Sequence, residues 1–170
     1  EQIKANWNRP ALGNYRGELF TFGEVATNIA KLHLLYENCG LKKGDKVAIY
    51  ARNSAEWCIA YFATLAYDAV TVPFLPDFLP SAVAELGSFS ECKMLIVDDI
   101  AFNAFEASPE LYDKLDAVDG CVGIVNIKDF KVLRDTSGVL ANVCENIESH
   151  LSSRYPHGFT PASVNYYKEE

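Results

Sequence analysis

Four short apolar runs, at residues 46–51, 69–74, 94–97 and 121–127, begin about 25 residues apart, and each gap between them carries a helical pattern. The runs are apolar at successive positions rather than alternate ones, and Val70, Thr71 and Val72 are β-branched. A strand of that kind has no solvent face, so it belongs in a sheet covered on both sides. Strands separated by a helix run parallel and are joined by right-handed crossovers. The spacing therefore predicts an α/β fold, a predominantly parallel sheet with helices on both faces.

The helices carry their own boundary signals. Thr21 stands three residues before Glu24, a capping box in which each side chain satisfies an amide at the other's end. Phe22, Val25, Ile29, Leu32 and Tyr36 follow at spacings of three and four and form one apolar stripe. Gly40 suits the left-handed residue just beyond a helix end, and Lys43-Gly44-Asp45 reads as a turn. Asn53 with Glu56 repeats the capping pattern ahead of residues 57–67 (WCIAYFATLAY). That helix is apolar on nearly every side and is predicted to be buried or pressed against another layer. Further helices are predicted over 80–89, 100–106, 109–118 and 137–151. A short helix over 2–7 and a hairpin over 11–21, with Gly17 supplying the positive φ at Arg16-Gly17, open the chain. Residues 1–170 thus read as a single α/β unit: helix and hairpin over 1–22, βα repeats over 23–128, and a helix with an irregular tail over 129–170.

A chain of 170 residues buries roughly 70% of its unfolded surface, enough for one core. Fifteen Lys and Arg stand against 23 Asp and Glu, a formal charge of -8. Nucleic-acid surfaces need clustered cations, so no nucleic-acid partner is expected. The five cysteines are odd in number and lack CxxC spacing, which points to reduced thiols and a cytoplasmic location rather than disulfides or zinc. The longest apolar stretch, 58–67, falls far short of the ~20 residues of a transmembrane segment.

Candidate chemistry is sparse. Phosphate binding wants glycine-freed amides at a helix start, whereas Gly120 and Gly123 precede or enter a strand. GxGxxG, GKS/GKT and GxSxG are absent, against a complete Rossmann dehydrogenase, P-loop ATPase or α/β-hydrolase. Asp98-Asp99, after an apolar strand, could hold Mg²⁺ as in a receiver domain. The next strand, however, ends Asn126-Ile127-Lys128-Asp129, which fits that arrangement poorly, so a helix cap or loop acid is the reading. His33, His150 and His157 lack ligand-spaced partners, the cysteines lack a catalytic histidine motif, and Trp57, Tyr61, Phe62 and Tyr67 read as core. The residues themselves offer no catalytic, cofactor-binding or metal site.

Five elements in order carry a resemblance: Arg9-Pro10-Ala11-Leu12; Thr21-Phe22-Gly23-Glu24-Val25; Gly40-Leu41-Lys42-Lys43-Gly44-Asp45-Lys46-Val47-Ala48-Ile49; Asn53-Ser54-Ala55-Glu56-Trp57; and Val72-Pro73-Phe74-Leu75-Pro76, with Cys92 to Val97 continuing the register. Over residues 9–99 the chain resembles the opening segment of AMP-forming acyl-CoA synthetases, in the adenylate-forming ligase superfamily. Tyr155-Pro156-His157-Gly158-Phe159-Thr160 is similar to the run-in to the ATP-phosphate loop of long-chain members. Asp68 departs from the family, which usually has Gly there.

The resemblance implies part of the large N-terminal domain of the adenylate-forming fold, in a fatty acid–CoA ligase that uses ATP, Mg²⁺ and CoA. The family's phosphate loop, ribose-binding motifs and catalytic lysine match no position here, so no site residue carries over. The segment is expected to be inactive alone, to have the remainder of its polypeptide as partner, and to self-associate when isolated. Its parent is expected to be cytoplasmic, with peripheral membrane attachment as a variant. The rival reading is a self-standing, receiver-like binding or regulatory module.

Overall fold

The computed structural model describes residues 1–166. The apolar runs become β3 (Lys46–Tyr50), β4 (Val70–Phe74), β5 (Cys92–Val97) and β6 (Gly123–Asn126), following the hairpin strands β1 (Pro10–Gly13) and β2 (Leu19–Thr21). The main sheet has the order β4-β3-β5-β6-β7, parallel throughout except for β7 (Val132–Asp135), which pairs antiparallel with β6. Although the runs are continuously apolar, their side chains still divide by face. Val47, Ile49, Met94, Ile96 and Val125 enter one core, and Ala48, Tyr50, Leu95, Val97 and Ile124 the other.

The first core is covered by α2 (Phe22–Asn38), α3 (Ala55–Ala66), α7 (Leu140–Glu145) and α8 (Ile147–Arg154). The second lies under α4 (Pro80–Phe89), α5 (Asp99–Glu106) and α6 (Tyr112–Asp116). From β3 the chain crosses to β4 over the first face. It then reverses direction to β5 and β6 over the second. A change of direction accompanied by a change of face is what a single crossover hand requires.

The start of α2 shows how local chemistry fixes an element. Thr21 Oγ1 accepts from the Glu24 amide at 3.2 Å, and Glu24 Oε2 accepts from the Thr21 amide at 2.7 Å. The Phe22 and Gly23 amides donate to the carbonyls of Arg9 and Trp7. All four amides that a helix start leaves open are thereby satisfied. Trp7 follows the short helix α1 (Gln2–Ala5), and its indole lies against Gly23, where a Cβ would stand 2.6 Å from Trp7 Cε2. The far end of α2 closes with Gly40 at φ +78°, the Gly40 amide on Glu37 O and the Leu41 amide on Tyr36 O.

Several expectations are corrected. The positive φ of the hairpin turn falls on Arg16 (+56°), not Gly17. The cap of α3 is Ser54, whose hydroxyl accepts from the Trp57 amide at 3.0 Å, and not Asn53. Its Glu56 does not reach back to close a box but accepts from Asn14 Nδ2. α3 is pressed onto the first core through Ile59, Ala60 and Ala63, as expected, but Phe62, read as core, is about half exposed, as is Leu65. The helix expected over 109–118 is a 3-10 turn (Pro109–Leu111) followed by α6, and that over 137–151 is two helices meeting at Asn146 (φ -104°, ψ 14°). Strand β7 was not foreseen. Among the described residues no helix is long and apolar enough to cross a membrane.

Candidate functional site

The loops leaving β3 and β5 turn to opposite faces of the sheet, and the crevice between such loops is where open α/β sheets place ligands. Here it is an open groove of about 490 Å³, lined by Asn14, Arg52, Glu56, Asp98, Asp99 and Lys128 among others. A second groove along the same edge shares Glu56, Asp99, Ile127 and Lys128.

Asn14, Arg52, Glu56, Asp98 and Asp99 in this crevice are all hydrogen-bonded within the chain. Asp98 caps α5, its Oδ1 accepting from the Ala101 amide at 2.9 Å. Its Oδ2 accepts from the Arg52 amide at 3.1 Å and from Arg52 Nε at 2.9 Å, so one carboxylate joins the ends of β3 and β5. Burial by itself pushes the Asp98 carboxyl up, but the Ala101 amide and the Arg52 side chain outweigh it and hold the group below its ordinary value. Asp99 Oδ1 accepts from Asn126 Nδ2 at 2.8 Å, and Asn126 Oδ1 accepts from the Lys128 amide at 2.8 Å. On the other side Asn14, in the hairpin loop, accepts from the Ala55 amide at 2.8 Å and donates to Glu56 at 3.0 Å. It thereby fastens the hairpin to the start of α3.

Mg²⁺ takes near-octahedral oxygen ligands from free carboxylates and waters. The oxygens of Asp98 are spent on a helix cap and a guanidinium, and Asp99 is held by an amide. Among the described residues no group of three or more His, Cys, Asp or Glu could hold a metal ion. The donor set does not fit Mg²⁺. Nor is there a phosphate cradle at Gly123: a Cβ there would lie 2.0 Å from Arg134 O, so the glycine admits the backbone of β7.

The remaining candidates are structural. His33 Nε2 lies 2.9 Å from Ala63 O, with its ring 5.5 Å from Tyr67 and 5.8 Å from Tyr166. His157 is exposed and His150 half-buried at the surface. Burial pushes the Cys92 thiol up to about 11 and those of Cys39 and Cys144 up to about 12, the opposite of an activated nucleophile. Tyr61 stacks on Trp57 at 5.2 Å, and Tyr67 packs edge-on to Tyr36. Sequence reasoning missed Arg52, Asn14 and Asn126. For Asn126 a signal existed: an amide side chain closing an apolar strand, only 3% exposed, has to be bonded on both sides.

A family model described as AMP-binding enzyme matches residues 1–165. An acetyl-coenzyme A synthetase of Desulfatibacillum aliphaticivorans is 29% identical over 118 residues, which is 65% of this chain and 18% of that protein. Long chain acyl-CoA synthetase 5 of Arabidopsis thaliana is 32% identical over 79 residues, 46% of this chain and 12% of that protein. The fold superposes on a benzoate CoA ligase from Burkholderia xenovorans LB400 with a TM-score of 0.66 at 11% identity, over 85% of this chain and 26% of the other. The chain spans less than a fifth of the length of these curated relatives. With the family's pattern running along nearly all of its residues, the chain belongs to the AMP-binding enzyme family.

Proposed function

We propose that this chain is the scaffold portion of an ATP-dependent, AMP-forming fatty acid–CoA ligase. In that reaction the acid's carboxylate attacks the α-phosphorus of ATP, giving acyl-adenylate and pyrophosphate, and the thiol of CoA then displaces AMP. The observation that carries the reading is the family match over residues 1–165, on a segment in which Arg52, Asp98 and Asp99 are engaged in holding loops together. ATP, Mg²⁺ and CoA are taken up by other parts of the polypeptide. Oxyanion-type stabilisation of the reacting phosphorus needs preorganised donors, and the Ala101, Trp57 and Ala55 amides at the carboxyl edge of this sheet are already bonded to Asp98, Ser54 and Asn14.

The choice of a fatty acid rests on the similarity of residues 155–160 to the long-chain members and on the Arabidopsis relative. Relatives named for acetate and 4-coumarate keep the acid itself open to test. The receiver-like reading has no observation in its favour, since Asp98 is a helix cap bonded to Arg52.

Two measurements check the proposal. Acid-dependent ATP–pyrophosphate exchange by the longer polypeptide carrying this segment should be fastest with palmitate among acetate, octanoate, palmitate and benzoate. A preference for acetate or benzoate removes the fatty-acid assignment, and no exchange with any acid removes the ligase. In calorimetry the 170-residue chain alone should bind no MgATP; micromolar affinity would overturn the scaffold assignment.

A further inference from the structure

We draw no further inference here: the strongest candidate, the exposed apolar stripe of Leu79, Leu86 and Phe89 along the outer side of α4, carries nothing because nothing in the structure shows what covers it.

Discussion

Asp98 joins two pieces of backbone and one side chain through one carboxylate: the start of α5, the main chain at Arg52, and the Arg52 guanidinium. Its carboxyl is held lower in the folded chain than in the unfolded one, so its contribution is complete above the unfolded value, about pH 4. It is lost as pH falls through the folded value. Asp98→Ala should cost about 1–2 kcal/mol at neutral pH by urea unfolding, from the lost cap alone. Asp98→Asn should show a shallower loss of stability with acid than the parent; an acid limb of unchanged slope would refute the assignment. Thr71 is the opposite case. Its hydroxyl is buried on β4 with no hydrogen-bond partner among the described residues. Thr71→Val keeps the shape and removes the stranded group, and should raise stability by about 1 kcal/mol; a lower midpoint in the same titration would count against it. At this scale the sequence was legible where a residue's role is set by its immediate neighbours, as at Thr21 and Gly40. It misled at Asn53, because the adjacent Ser54 caps as well, and at Gly17, because Arg16 takes a left-handed conformation that ordinarily favours glycine. The start of α3 is also engaged by the hairpin loop, whose Asn14 bonds Ala55 and Glu56 across 41 and 42 residues.

At the scale of elements, α2 bears on the rest of the fold through both ends and along its length. Its cap fixes where the hairpin ends, and Lys31 and Glu37 hold α8 through Glu148 and Arg154. Removing the cap with Thr21→Ala should lower stability by about 1 kcal/mol, whereas Thr21→Ser should restore most of it; equal losses in both, read from thermal midpoints, would show that the methyl group rather than the hydroxyl matters. The four parallel strands were legible because burial on two faces leaves an unbroken apolar run. Strand β7 was not, for a physical reason: it is an edge strand of four residues containing Arg134 and Asp135, half-buried at most. Its position is set by a partner, since Gly123 at φ +142° opens room for the Arg134 carbonyl. Nothing within 132–135 announces that. β4, at the opposite edge, was legible. Its Val70 amide faces inward to Asp45, and Pro73, three residues on, presents no amide on the outer side, a common protection of exposed edges.

Taken whole, the molecule has two satisfied cores and an outer surface that is apolar in places. Phe89 is 86% exposed, Leu79 70%, and Phe62 and Leu65 sit beside a groove of about 530 Å³ lined by Leu12, Val25 and Ile29. The isolated chain should therefore self-associate despite its charge of -8. Sedimentation velocity should show a concentration-dependent coefficient, and Phe62→Ser with Leu65→Ser should reduce it; a strictly monomeric parent at high concentration would contradict this. The bonds that occupy the candidate site were not legible, because they connect residues far apart in the chain, as Arg52 with Asp98 and Asp99 with Asn126. One earlier detail reaches further than its size. The indole of Trp7 rests on the bare backbone of Gly23 and has Phe159 6.1 Å away on the path back from α8. A single ring thus acts as a common latch between the residues around Trp7 and those around Phe159, so that disturbing either one loosens the other.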